Sequence, residues 1–508
     1  MKVRSVLRLL TRAHEQNWRF SVLVGSLYVA FLIWMHAHHE MWRDEIHIWT
    51  VARQAGGFVG IITGDRVYDG HPPLWYWYLY AWTFVTKSPW GIQAATVLAA
   101  SLATFVFLRF APFPRFLKIL VLCSYFIGYE YSVMARDYVL GWLLVCLFCA
   151  CYEPKRRRII ACGVLLGLLA LSSAYGLLMS GALALFLVLD NINLSRSAGF
   201  PKLWSLTIRP QLLVSVLFAG AGMVFCLATT EPPDPNPFSP DWHPASLTLD
   251  ALPEMSTRVV VGFLPLFRSG LHFWSSEMML WQNPAWTLYV GIGLMLAAVL
   301  SLLPAWRALL AYLVFAVAMS VFQQIRHTGY PRHWGHYFLF LVAATWLARR
   351  TNPKRSFVFS TALFMVSLAV SVPSYLSAVV GDTRWVFSGG KQTAEFIRKK
   401  GLQDLPLIAG PDWFVLTVAG YLERPFTRVE TDEFHETVVF HSRRRGFSTG
   451  ALLDRAAAVS RETHSPVLVV SNQLLPRAPA NTTMSWLFTS EPSIIPDEVF
   501  SVYQLRAK

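Results

Sequence analysis

Two adjacent carboxylates, Asp44 and Glu45, fall within about ten residues of the end of the first long apolar run, in the stretch His36 to Trp90. Charge this close to a bilayer is costly to desolvate, so it carries a task or a partner. Accepting a proton is a common task for such a carboxylate. The pair is followed by Gly70-His71-Pro72-Pro73-Leu74-Trp75-Tyr76, and later by Ala135-Arg136-Asp137-Tyr138 at the start of another apolar run. Tyr330-Pro331-Arg332-His333-Trp334-Gly335-His336-Tyr337 precedes a third run, with Arg326 and His327 just ahead of it. Acids and cations at the ends of apolar runs suit chemistry on a lipid-linked substrate.

The elements that must position these groups are membrane helices. The chain has 508 residues, 54% hydrophobic and 15% charged, with a mean hydropathy of +0.42. That composition describes a polytopic membrane protein. The net charge of +14 does not indicate a nucleic-acid partner, because Lys and Arg cluster in short segments between apolar runs, as in cytoplasmic loops. All six cysteines (Cys123, Cys146, Cys149, Cys151, Cys162, Cys226) lie in apolar runs, so they read as small hydrophobes rather than metal ligands or disulfides. The spacing of His36, His38 and His39 suggests metal ligation, but an interfacial histidine patch is the simpler reading.

A basic tail (Lys2, Arg4, Arg8, Arg12, Arg19) precedes the run at 20–35, which reads as a retained first span. Further apolar runs occupy 92–109, 117–133, 138–152, 159–174, 176–190, 211–229, 286–304, 306–322, 336–348 and 357–378. Basic clusters separate them: Arg109/Arg115/Lys118, Lys155 to Arg158, Arg196/Lys202/Arg209, Arg307 and Arg349/Arg350/Lys354/Arg355. If 71–88 also crossed, every later cluster would face outward. Trp75, Tyr76, Trp77, Tyr78, Tyr80 and Trp82 instead mark 71–88 as a helix in the membrane interface. Eleven spans follow, with the N-terminus cytoplasmic and the C-terminus outside. The hairpin 159–190 has short legs for a core of about 30 Å, which sinks its turn, Ser172-Ser173-Ala174-Tyr175-Gly176, towards the membrane.

Four segments then face outward: the first loop (36–91), the Glu130–Asp137 turn, a large loop (230–285) and the basic turn 323–335. The large loop begins Pro-rich (EPPDPNPFSPDWHP) and continues as an amphipathic stretch, Leu249–Phe273, long enough for a lid or ledge. Residues 1–380 thus form a membrane part and 381–508 a soluble α/β domain. In the latter, helices are expected at Lys391–Lys400, Phe414–Leu422 and Leu452–Thr463, and strands at Leu405–Ala409, Val467–Ser471 and Phe500–Leu505.

A first outer loop with an Asp-Glu pair, then His-Pro-Pro-Leu-aromatic, then Ala135-Arg136-Asp137-Tyr138, resembles the GT-C integral-membrane glycosyltransferases. The likeness is to their protein O-mannosyltransferase and aminoarabinose-transferase-like branch, and it extends over about the first 380 residues. The run Tyr330 to Tyr337 is similar to the approach to a late helix in these families. Where relatives often carry a Thr-Lys-Gly turn, this chain has Ser172 to Gly176 and lacks the lysine.

The resemblance implies a sugar moved with inversion from a polyprenyl-phosphate donor to a glycan, lipid or protein acceptor on the outer side. It places the catalytic base on Asp44, with Glu45 orienting the acceptor, binding a metal or pointing away. His71, Pro72, Arg136, Asp137, Tyr138, Tyr175, Arg326, Arg332, His333 and His336 become substrate-binding candidates, the cations among them stabilising a lipid-phosphate leaving group. No cofactor is required, although a divalent metal is compatible. The resemblance also implies a bacterial inner (plasma) membrane, with membrane lipid as a further partner and the C-terminal domain periplasmic.

Simpler roles compete. Asp44 and Glu45 also suit the first turn of a helix, His71-Pro72-Pro73 a helix start, Arg136 a snorkelling span end, and 326–336 a patch for anionic lipid. The Asn481-Thr482-Thr483 sequon has meaning only in a secretory eukaryotic setting. A lipid-linked-glycan transporter or flippase would show internal repeats, and none is found. A polymer ligase would concentrate Arg and His in one late loop, whereas here the acid-bearing first loop is the most distinctive piece.

Overall fold

The computed structural model describes residues 18–153, 158–196, 204–207, 209–231, 247–267, 269–274 and 284–508. The basic tail at Lys2 to Arg12, Lys155 to Arg157, Lys202 and the Pro-rich start of the large loop lie outside them.

Helices cover the predicted runs: α1 (Trp18–His38), α5 (Trp90–Phe110), α7 (Tyr138–Cys151), α8 (Ile159–Ala170), α9 (Ala174–Asn191), α10 (Pro210–Thr230), α12 (Pro284–Leu302), α13 (Trp306–Ile325), α15 (His336–Thr351) and α16 (Val358–Arg384). Six of them (α1, α5, α9, α10, α13 and α16) are long and apolar enough to cross a membrane, which makes the chain an integral membrane protein. The run at 117–133 is not one helix. It breaks into α6 (Arg115–Leu122) and a π-turn, Tyr125–Glu130, where wide winding lets the Tyr125 hydroxyl donate to Glu130 at 2.8 Å.

The twelve-residue α8 is held by backbone approach rather than length. Gly163 and Gly167, four apart, face α10 so closely that a Cβ on either would meet the backbone of Ser215 at 2.3 Å or of Phe218 at 2.7 Å. The turn after α8 is buried within the protein, and the Ser173 hydroxyl accepts from the Gly176 N–H to start α9.

The first outer loop is mostly helical, with α2 (Arg43–Gln54), α3 (Phe58–Thr63) and α4 (Leu74–Trp82). Nine residues give α4 about 14 Å of rise, well short of a crossing. The amphipathic stretch of the large loop forms α11 (Leu252–Phe263). The basic turn is shorter than expected, because α13 runs to Ile325 and α14 (Pro331–Trp334) adds one turn before α15.

The C-terminal residues build the expected helices as α17 (Gly390–Lys399), α18 (Asp412–Leu422) and α19 (Thr449–Thr463). Ahead of them in the chain, β1 (Asn193–Arg196) and β2 (Trp204–Thr207) pair as a separate antiparallel ribbon. The C-terminal sheet contains β3 (Leu407–Ala409), β4 (Phe426–Arg428), β5 (Phe434–His435), β6 (Val467–Ser471), β7 (Thr482–Thr489) and β8 (Ser501–Ala507). Its order is β5-β4-β3-β6-β8-β7; β3 is parallel to β4 and β6, and the other neighbours are antiparallel. Strand β6 (VLVVS) is buried along its whole length, which an unbroken apolar central strand requires.

Candidate active site

Asp44 and Glu45 occupy the first turn of α2, as acids at a helix N-terminus should. Successive residues on a helix point about 100° apart, and the pair separates accordingly. Asp44 keeps a 14% exposed side chain and faces two arginines, with Arg136 Nη1 at 3.2 Å and Arg332 Nη2 at 3.7 Å from Oδ2. Arg136 also donates to the Asp44 carbonyl at 3.3 Å. Glu45 turns inward and is fully buried. It accepts from Trp42 N–H at 3.1 Å and Ala135 N–H at 2.5 Å, and it meets His39 Nε2 at 3.1 Å. The other His39 nitrogen contacts Asp382 of α16 at 2.9 Å, and Tyr129 donates to the same carboxylate oxygen. Burial opposes charge on His39, but Asp382 and Glu45 together hold its pKa well above the usual histidine value.

Arg136 and Asp137 sit in the turn opened by the π-turn, and both are buried. Their closest approach is 4.0 Å, and neither Asp137 oxygen has a hydrogen-bond partner. Burial, offset by Arg136, pushes the Asp137 carboxyl up to about 6. The Nε atoms of Arg136 and Arg332 are likewise buried without acceptors. Arg332 lies over the rings of Tyr330, Trp42 and Trp274, at 4.6, 5.4 and 5.5 Å to their centroids. Beneath it, Glu130 accepts from Tyr125 and from Trp274 Nε1.

The His-Pro-Pro motif enters α4 with Pro72 and Pro73 buried. Arg66, fully buried and with no acidic partner within salt-bridge distance among the described residues, donates to three carbonyls, those of Ile61, His71 and Thr229. The Leu74 N–H reaches the Leu171 carbonyl at 3.1 Å, joining the motif to the buried α8–α9 turn. Burial and then Arg136 lower His71 to about 3, while Asp69 and Asp44 oppose them, so its imidazole is neutral beside the Asp44 group. Asp69 in turn holds His47 at 2.9 Å and the Tyr76 hydroxyl at 2.8 Å.

On the far side, His333 takes the Tyr330 N–H on Nδ1 at 2.8 Å, so its proton sits on Nε2 and is donated to the Tyr138 hydroxyl at 2.8 Å. Burial and Arg332 keep His333 well below its usual pKa, consistent with a neutral ring. Tyr175 stacks on His333 and His336 at 5.0 and 4.8 Å, and its buried hydroxyl has no hydrogen-bond partner.

Of the candidate residues, Asp44, Arg136, Asp137, His71, Arg332, Tyr138, His333, His336 and Tyr175 thus form one connected group, and Pro72 is buried next to His71. Arg326 is exposed at the end of α13, next to His327, whose ring lies 5.2 Å from that of His333. His36, His38 and His39 do not form a patch. His36 bonds the Ser132 carbonyl, His38 is exposed against Trp34, and His39 bridges two acids, because helical geometry sends each a different way. Among the described residues, no group of three or more His, Cys, Asp or Glu side chains is placed to hold a metal. Sequence reasoning missed Asp69, Glu130, Asp382, Trp42 and Trp274. The rule that singled out Asp44, acid beside an apolar run, applies equally to the first three.

No protein-family model matches the chain, and no curated protein matches it. Among solved structures it is similar to ArnT from Cupriavidus metallidurans bound to undecaprenyl phosphate, at 15% identity and TM-score 0.47, covering 94% of this chain and 97% of that one. It is also similar to the apo state of ArnT from the same organism, at 13% identity and TM-score 0.49, with the same coverage. ArnT is an aminoarabinose transferase of the GT-C superfamily.

Proposed function

We propose that this chain is a GT-C-type glycosyltransferase that moves a sugar from a polyprenyl-phosphate donor to an acceptor hydroxyl at the outer face of a bacterial inner membrane. The observation that carries the reading is the set of open valences around Asp44. Buried Arg136 and partly exposed Arg332 share one partly exposed carboxylate, and their Nε atoms and both Asp137 oxygens lack hydrogen-bond partners. Buried polar groups are normally satisfied, and a site built this way is completed by a polar ligand. A phosphate ester supplies acceptors for Arg136 and Arg332, and sugar hydroxyls supply donors for Asp137.

In this reading the acceptor hydroxyl lies against Asp44. As its oxygen attacks the anomeric carbon, its proton passes to the carboxylate and the bond from carbon to phosphate oxygen breaks on the opposite side, which inverts the centre. The electron pair leaves with the lipid phosphate, whose new charge the arginines stabilise in a site poorly screened by water. Neutral His71 does not compete with Asp44 for the proton, and His333, with both ring nitrogens engaged, holds the Tyr138 hydroxyl. The N-terminus is cytoplasmic in this arrangement, and residues 381–508 form a soluble domain outside.

The test is mass spectrometry of cell-envelope glycans and glycolipids from cells carrying wild-type protein or Asp44→Asn. A missing sugar with its unused precursor accumulating names both sugar and acceptor. An unchanged envelope, with the variant present in the membrane, rejects the proposal.

A further inference from the structure

The acid-bearing first turn of α2 does not stand alone. It is gripped from the C-terminal region by a run of contacts to residues 40–46. Glu498, fully buried in a short turn before β8, accepts both from the Arg43 backbone N–H and from Arg43 Nη1, each at 3.1 Å. The Met41 N–H donates to the Tyr421 hydroxyl of α18 at 2.7 Å, and the Phe387 N–H donates to Glu40 at 2.8 Å. Gly420 packs so tightly on Ile46 that an added Cβ would fall 2.2 Å from its Cγ2. The Arg43 guanidinium also lies over Phe414, 4.7 Å from the ring centroid.

The first backbone N–H groups of a helix have no partner within it. Trp42, at the N-cap, has no acceptor side chain to offer. Glu498 fills that role from about 450 residues away, and the next residue after Arg43 is Asp44. We propose that the C-terminal region positions the base: Glu498, through Arg43, fixes the start of α2 and hence the direction of the Asp44 carboxylate towards Arg136 and Arg332. Glu498 is therefore a positioning residue rather than a catalytic one, and this role rests on the transferase reading above.

The groups facing Glu498 are Arg43 and Asp44 of α2, Tyr421 of α18 and the Ser388 hydroxyl ahead of α17. Burial raises its carboxyl to about 7, against the pull of Arg43. The charged grip on Arg43 is therefore half formed near pH 7, strengthens above it and is lost as the pH falls below it.

Two measurements on full-length protein separate the clamp from the reaction it serves. Hydrogen–deuterium exchange in nanodiscs should show residues 41–47 exchanging about tenfold faster in Glu498→Ala, with α5 and α15 unchanged. Transfer is read by mass spectrometry in membrane vesicles that carry their own donor and acceptor, from pH 5.5 to 8.5. Glu498→Ala and Arg43→Ala should each lower the rate about tenfold, and the double variant no further. Glu498→Gln keeps the accepting oxygen but not the charge, so its rate should match that of wild type at low pH and should lack the rise that wild type shows as the pH passes through about 7. Unchanged exchange at 41–47, or losses that multiply in the double variant, overturns the clamp. If Glu498→Ala fails to fold, Arg43→Ala and Glu498→Gln decide the question by the same two readouts. If Asp44→Asn leaves the products unchanged, the transferase reading fails, while the exchange result still decides whether the clamp exists.

Discussion

The two faces of the first turn of α2 make opposite use of the same kind of group. On one face, Asp44 is partly exposed, shared by two arginines and surrounded by buried atoms without partners. On the other, Glu45 is sealed in and satisfied by two backbone N–H groups and His39, which Asp382 holds from behind. The first arrangement is incomplete without a ligand. The second is complete without one, and by tying Ala135 to α2 it sets the place of Arg136. Adjacent acids in a sequence therefore need not form a catalytic pair. In the proposed reaction one takes the proton, and its neighbour builds the frame.

The sharpest break in that comparison is a pair of isosteric amides. Asp44→Asn should reduce transfer by about 10² to 10⁴-fold, the range for a missing general base, with the thermal midpoint little changed. Glu45→Gln should do the reverse. Breaking one partner out of a buried ion pair costs about 3–5 kcal/mol, so Glu45→Gln should lower the unfolding midpoint and the amount of protein in the membrane. Rate per folded molecule should hold far better than in Asp44→Asn. Thermal unfolding in detergent beside product formation measures both. Equal kinetic losses with equal stability would erase the distinction between the two faces.

A second, smaller effect sharpens the comparison through pH. Because His39 is held well above its usual pKa, its stabilising charge is fully present below the ordinary histidine range and is lost as the pH rises through the elevated folded value. Wild type should thus lose stability on the alkaline side, and His39→Asn should remove that slope while being less stable at neutral pH. Unfolding midpoints across an alkaline series give the answer. A slope retained in His39→Asn would place the titrating group elsewhere.

How much of this was legible beforehand depended on the range of the interaction. Helices α1, α5, α9, α10, α13 and α16 follow from apolar runs, because each satisfies its backbone internally and needs only its own composition. Asp44, Arg136 and Arg332 were found because charge at the edge of an apolar run is costly wherever it sits, and His71 through the His-Pro-Pro-Leu motif. The π-turn at Tyr125–Glu130 was not found, since its aromatic run reads as a continuous helix until tertiary packing unwinds it. Asp382 was missed because its meaning lies in His39, 343 residues away. Strands β4 and β5 are too short for a period-two signal, and edge strand β7 mixes exposed polar and aromatic residues. The position of the α8–α9 turn was readable, but its contact with Leu74 was not.

The smallest expected effect tests whether the reactive face extends to the far wall of the site. His333 is fixed as the Nε2 tautomer by the Tyr330 N–H, so the Tyr138 hydroxyl must accept its proton. Tyr138→Phe removes that acceptor and leaves one buried N–H unpaired, which costs about 1–3 kcal/mol. If the His333–Tyr138 pair only supports packing, the loss should appear wholly in the unfolding midpoint, as for Glu45. If Tyr138 also lends its remaining hydrogen to the substrate, transfer by the folded protein should fall by about tenfold as well, since one such bond is worth close to 1.4 kcal/mol. The site geometry favours the second result. Tyr138 lies within electrostatic reach of Asp137, Arg136, Arg332 and Asp44, so a ligand held by those groups comes close to its hydroxyl. A Tyr138→Phe protein that is less stable yet fully active would confine the reactive face to Asp44, Arg136 and Arg332.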